Sequence, residues 1–175
     1  MFGLKSSTPS SDPWPLKFKR HNFGARCHRT LKCSIIYDQF QFASDRAMHS
    51  PSGDPPSEDW KDHWTAGYIA GDYFAGPVEV DWVSLDGEQH HAEVNLESLF
   101  GDRLVRHQVA KEEIPEGWLA AWGVEPLGVH ILVEIDDRTI NVFMRALIIT
   151  KEPQISGNPR STSRDDLMLA WTHTY

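Results

Sequence analysis

VHILVEIDDRTINVFMRALIITKE, Val129 to Glu152, is the stretch whose reading decides the fold. Val129, Ile131, Val133 and Ile135 alternate with His130, Leu132 and Glu134. Asp136-Asp137 then interrupts, and Ile140, Val142, Met144, Ala146 and Ile148 resume the period of two. Alternation of this length is the pattern of half-buried strands. The opposite row, Thr139, Asn141, Phe143, Arg145, Leu147 and Ile149, begins mixed and ends apolar, which predicts that the second strand enters the middle of a sheet. Asp136-Asp137 is a weaker turn signal than Asp-Gly.

Upstream, VEVDWVSLDGEQHHAEV from Val78 to Val94 carries its own test of register. A two-residue loop at Asp86-Gly87 sets Trp82 opposite His91 and Val80 opposite Glu93, mixing the faces. A three-residue loop, Leu85-Asp86-Gly87, pairs Ser84 with Glu88, Trp82 with His90, Val80 with Ala92 and Val78 with Val94. It also places Gly87 where a type I turn plus bulge needs positive φ. A one-residue slip turns the apolar row to solvent, so the three-residue loop is preferred.

Further from these two units the pattern weakens. Residues 1–16, rich in Ser and Pro, read as a disordered tail, leaving 17–175 as one domain. A first strand is expected from Cys33 to Phe42. Ser44 to Trp64, with MHSPSGDPPSEDWKDHW at its centre, fits no helix or strand period, and a loop of that length in a compact domain is usually functional or mobile. Tyr68–Phe74 suggests a short or edge strand, and Leu104–Val109 another. Pro115 to Gly123 reads as a helical turn with Trp118 and Trp122 on one face. Leu167 to Tyr175 alternates as a last strand, while Ser163-Arg-Asp-Asp equally suits the cap of a short helix. The expected architecture is α+β, mainly antiparallel β: a single β-rich domain with one or two short helices.

The chain has 175 residues, 40% of them hydrophobic, with 12 glycines, 11 prolines and seven tryptophans. A chain of this size buries roughly 70% of its unfolded surface, enough for a real core. The formal charge of −8 argues against a binder that tracks nucleic-acid phosphates. Charge is uneven, with Lys17, Lys19, Arg20, Arg26, Arg29 and Lys32 early and Asp54, Glu58, Asp59 and Asp62 in the long loop. There is no transmembrane run, and the first residues lack the apolar stretch of a secretory signal, which at face value reads as cytoplasmic. Cys27 and Cys33 are either two free thiols or a small disulfide loop that needs an oxidising compartment.

Enzyme and cofactor signatures are missing: no nucleophile elbow, zinc helix, phosphate loop or dinucleotide fingerprint is present, and neither catalytic nor metal-ligating residues are assigned. His90 and His91 point to opposite faces of a strand and cannot chelate one ion. Asp59-Trp60-Lys61-Asp62-His63-Trp64 gathers carboxylates and an imidazole, which with His90 sketches a metal-dependent hydrolase. The same residues, with Asp54 and Glu58, suit a protein-recognition loop of aromatic anchors in a charged rim. They equally suit a solvated loop whose tryptophans tuck onto the sheet. Asp136-Asp137-Arg138 offers too few carboxylates for a calcium cage.

FGARCHRTLKCSIIYD, VDWVSLDGEQHHAEVNLESLF, VEIDDRTINVFMRALIITKEPQISGN and the terminal DDLMLAWTHTY together resemble the small immunity proteins encoded beside type VI secretion lipase effectors of Gram-negative bacteria, in particular those of phospholipase toxins. The likeness covers most of the chain after residue 18. It implies a non-catalytic, β-rich periplasmic protein, often lipid-anchored, that binds one toxin and blocks its active site or its access to membrane. The chain departs from that pattern in lacking an export signal and a lipobox cysteine. In such relatives Cys27 and Cys33 sit in an oxidising space. The loop residues Asp54, Glu58, Asp59, Trp60, Asp62, His63 and Trp64 then become the expected contact with the effector, Trp60 and Trp64 as anchors and the carboxylates meeting basic groups. A cell-envelope domain whose tryptophans hold lipid or glycan is the alternative.

Overall fold

At Arg29 the chain turns from one sheet into another. In the computed structural model, which describes residues 12–175, strands β1 (His21–His28) and β2 (Thr30–Tyr37) are separated by this one residue, held at φ +49°, and lie in different sheets. The chain continues through β3 (Phe40–Gln41), helix α1 (Asp45–His49), a 3-10 turn at Trp60–His63, β4 (Tyr68–Gly71), β5 (Val78–Ser84) and β6 (Gln89–Val94). Helices α2 (Leu96–Phe100) and α3 (Glu116–Val124) precede β7 (Val129–Asp136), β8 (Thr139–Arg145), β9 (Ile148–Ile149), β10 (Ser163–Arg164) and β11 (Leu167–Thr174). The larger sheet has the order β11-β8-β7-β1-β4, the second is β3-β2-β5-β6, and β10 pairs with β9. All pairings are antiparallel except β1 with β7, which run parallel from His21 beside Val129 to His28 beside Asp136. The architecture is the predicted single β-rich α+β domain, with three short α-helices.

The alternating rows explain how the sheets meet. Phe23, Ile131, Val133, Ile135, Ile140, Val142 and Met144 from one sheet pack against Cys33, Ile35, Tyr37, Val78, Val80, Trp82, Ala92 and Val94 from the other in one core. Leu96, Phe100, Leu119 and Trp122 bring α2 and α3 onto it. Each large apolar side chain enclosed this way contributes about 1.5–3 kcal/mol. Trp82, 2% exposed, also satisfies its indole by donating to the Asp137 carbonyl at 2.8 Å, so it belongs to the core.

The β5–β6 register is the three-residue one: Val78 faces Val94, Val80 faces Ala92 and Trp82 faces His90, while the amide of Ser84 donates to Glu88 O at 3.0 Å. Gly87 sits at φ +85°. β8 lies between β7 and β11, as the sequence predicted for it. Five expectations need correction. The chain enters the sheet before Cys33: β1 hides because its inward row, His21, Phe23, Ala25 and Cys27, is only partly apolar. The expected Cys33–Phe42 strand breaks at Asp38-Gln39, both at positive φ. Leu104–Val109 forms only a bridge from Leu104 to Lys17, not a strand. Ser163-Arg164 pairs as β10 rather than capping a helix. Of the expected tail, residues 1–11 lie outside the described residues, but Leu16 is 1% exposed and part of the core. No described helix is long and apolar enough to cross a membrane.

Candidate functional site

The segment after β3 is a strap laid over the outer face of the larger sheet. It starts ordered: the Ser44 hydroxyl accepts from the Ala47 amide at 3.1 Å, capping α1, which buries Ala47. Thus Ser44–Trp64, which showed no period, contains a helix too short to display one. The strap then zips onto the β1–β2 corner. Arg29 N donates to Gly53 O at 2.7 Å, Ser52 N donates to Thr30 O at 2.9 Å, and Thr30 N donates to the Ser52 hydroxyl at 3.1 Å. After Pro55-Pro56 comes the 3-10 turn, and Trp64 and Ala66 settle on Leu132 and Phe143. Closure needs Gly24: a Cβ there would stand 3.2 Å from both Ala66 Cα and Leu132 Cδ2.

Beneath the turn lie two buried charges. Glu134, 2% exposed, accepts from Lys61 Nζ at 2.7 Å and from Asn141 Nδ2 at 3.1 Å. Burial works against its ionisation, but the hydrogen-bonding groups around it outweigh burial and hold the carboxyl down to about 2. His28 Nδ1 stands 3.8 Å from the same carboxylate, too far for a hydrogen bond, so Lys61 and Asn141 carry the effect. Arg145, 4% exposed, donates to the Lys61 carbonyl at 2.7 Å and the Asp62 carbonyl at 2.8 Å. The Ala66 amide donates to His130 Nδ1 at 3.1 Å, and burial lowers that imidazole's basicity. The strap is therefore fixed at both ends and along its middle.

The fixing decides what the strap shows to solvent. Trp64 is 5% exposed, edge-on to Phe143, and Trp60 is half-buried between His28 and Trp64, with Lys61 Nζ over its ring. The two tryptophans face inward and support the loop; they are not free anchors. Asp54, Glu58, Asp59, Asp62 and His63 remain at the surface. A hydrogen bond from Ser57 holds Asp59 below the ordinary carboxylate range. A cleft of about 280 Å³ opens between the strap and β1, lined by Arg26, His28, Pro56, Trp60, His63 and Trp64.

Comparison with protein-family models, with curated proteins and with solved structures gives no match for this chain. Its site has to be read from its own geometry.

The residues sketched as a metal-dependent hydrolase are not assembled. Asp59, Asp62 and His63 belong to the strap on the larger sheet, whereas His90 is on β6 of the other, stacked on Trp82 and 2.8 Å from the Ser84 hydroxyl. Among the described residues, the trio of possible ligands that does gather is Asp86, Glu88 and His90. Both of its carboxylates pair with the Arg138 guanidinium, Glu88 at 2.9 Å. This cluster ties two hairpin tips together, since Leu85 N also donates to Asp137 Oδ1 at 2.9 Å. Asp136 is likewise engaged, by Arg29. His91 points to the outer face and pairs with Asp81 at 2.7 Å, opposite to His90 as the strand period required.

Cys27 and Cys33 are joined in a disulfide across the β1–β2 corner, with Cα atoms 6.6 Å apart. Sequence reasoning missed Lys61, Glu134, Asn141 and Arg145 as the parts that hold the site. The sequence carried only a partial signal: Glu134 shares its row with the apolar Leu132, and a carboxylate on a row that is covered needs a cation beside it.

Proposed function

We propose that this chain is an immunity protein that binds and neutralises a cognate type VI secretion lipase effector, blocking its active site or its access to membrane, and that it acts by binding rather than by catalysis. The resemblance of its spaced motifs to that family supports the reading. The observation that carries it is the strap: carboxylates at Asp54, Glu58, Asp59 and Asp62 held outward on a loop whose backbone is pinned by Arg145 and whose tryptophans are locked inward. A rigid acidic loop binds a basic surface without first losing conformational freedom, and this preorganisation is what a dedicated protein inhibitor needs. Charge complementarity then speeds encounter with the effector and excludes wrong partners. Its place of action on this reading is the periplasm, where the Cys27–Cys33 bond persists.

The test is calorimetric titration into the purified product of the adjacent gene, with phospholipase activity followed in parallel. One-to-one binding with loss of activity supports the reading. The double change Asp59→Lys and Asp62→Lys should then weaken association by about tenfold or more, chiefly through a slower on-rate that is sensitive to salt. A folded neighbour that is neither bound nor inhibited would sink the proposal. Inhibition untouched by the double change would move the contact away from the strap.

A further inference from the structure

A second cleft, of about 310 Å³, lies between β1, the start of α1 and the Ser52–Pro56 part of the strap. β4 covers β1 only along His21–Phe23, so the Ala25–His28 half of that strand has no strand neighbour on this side. The cleft's lining is of two kinds, both supplied by β1 and by the segment around α1. Ala25, Phe42, Ala43 and Ala47 are apolar, and Arg26, Arg46 and His28 are cationic or hydrogen-bond donors, with Ser44 among them.

The cations are unspent. Arg29, Arg106, Arg138 and Arg164 are each engaged by a carboxylate, whereas Arg26 and Arg46, like Arg103 and Arg160, have no ion-pair partner among the described residues of a chain whose net charge is −8. His28, 7% exposed, also lines the cleft; its buried Nδ1 is turned to the Glu134 carboxylate, 3.8 Å away, and is not offered to a ligand. The number of donors selects the ligand. One guanidinium satisfies a carboxylate bidentately; two guanidinium groups suit an anion with three or more oxygens and more than one charge. Asp54, on the rim, is 3.8 Å from Arg29 and offers an acceptor to a hydroxyl or amine of the same ligand.

We propose that this cleft binds a small phosphorylated molecule. Its phosphate sits between Arg26 and Arg46 on the wall that includes His28, and its organic body lies on Phe42, Ala43 and Ala47. The phosphate ligands Arg26 and Arg46 are not among the outward carboxylates of the strap, so the site does not depend on the effector-binding reading; Asp54 alone is shared by both. The shared chemistry, a phosphate on a short polar body, occurs in soluble phosphomonoesters and in lipid headgroups.

The test uses the full chain, with NMR detection of imidazole and guanidinium signals while inorganic phosphate, glycerol 3-phosphate or phosphatidylglycerol vesicles are added. Saturable shifts of His28, Arg26 and Arg46 are expected, with glycerol 3-phosphate binding more tightly than inorganic phosphate because it fills the apolar side. Arg26→Gln and Arg46→Gln should each weaken binding by about tenfold or more, the loss of one charged hydrogen-bonding group. Arg160→Gln, exposed and remote in sequence, is the control and should change nothing. Binding of the soluble ester alone identifies a small-molecule site; vesicle binding lost in both arginine variants identifies a headgroup site. No saturable shift with any probe, or shifts that survive both substitutions in a folded protein, overturns the proposal.

Discussion

Removing Lys61 should cost more than removing its partner. Glu134 is 2% exposed, whereas the Lys61 side chain is 34% exposed and reaches water when its partner is gone. Burial works against ionisation of this carboxyl, and Lys61 is the one cation hydrogen-bonded to it among the groups that hold it below the ordinary range. Lys61→Met strands the charge, and the expected loss at neutral pH is about 3 kcal/mol. Glu134→Gln keeps an acceptor for Lys61 and should cost about 1–2 kcal/mol. The pH dependence follows from the sign of the shift. In the parent protein the depressed carboxyl contributes stability that is full above the unfolded value, 4.5, and is lost as pH falls from there toward 2. Without Lys61 the buried carboxyl titrates higher than in the parent, so the variant loses less stability than the parent as pH falls. Its deficit should therefore shrink between pH 7 and pH 4. Urea denaturation of parent, both single variants and the double variant across that range measures it. A Lys61→Met deficit below about 1 kcal/mol, or one that stays constant with pH, would falsify the view that this pair anchors the strap.

Two further outcomes follow from single groups. His21 is fully buried, bonded through Nδ1 to Gly71 O at 3.0 Å and through Nε2 to the Tyr37 hydroxyl at 2.8 Å, and burial lowers its pKa to about 4. Below 6.5 the unfolded chain takes up a proton that the folded one refuses, so stability falls through the window from 6.5 to 4 and no further. The loss from this group by pH 5.5 is about 1.4 kcal/mol, and His21→Asn should remove that component of the acid slope; equal slopes in both proteins would contradict it. Cys27 and Cys33 close a loop of sequence separation 6, and Cys27→Ser with Cys33→Ser should cost about 2 kcal/mol, a fall in Tm of roughly 4–8 °C by calorimetry. An unchanged Tm would mean that the corner is held by Arg29–Asp136 and the strap alone.

How much of this was legible depended on whether a residue's neighbours are local. The β5–β6 hairpin is written in its own seventeen residues, because the turn glycine and the apolar row admit one register. β7 and β8 declare themselves by alternation for the same reason. β1 does not. Its inward row mixes His21 and Cys27 with Phe23 and Ala25, and what makes it a strand is a parallel partner more than 100 residues away. The strap was equally opaque. Nothing in Asp59–Trp64 says which way the tryptophans face, since that is settled by Glu134 and Arg145 on β7 and β8.

The same dependence gives the strap its use. A loop of this length that relied on its own contacts would sample many shapes, and each carboxylate presented to a partner would carry an ordering cost on binding. Here the ordering is completed within the fold, by a buried carboxylate that neutralises the lysine of the turn and a buried guanidinium that holds two of its carbonyls. What faces solvent is then chiefly acidic, because the cations of the strap's middle and of the sheet beneath it, Lys61 and Arg145, are used internally. The segregation predicts where substitutions separate stability from binding: changes at Lys61, Glu134 and Arg145 alter both, whereas changes at Asp59 and Asp62 leave the melting transition in place and alter only association.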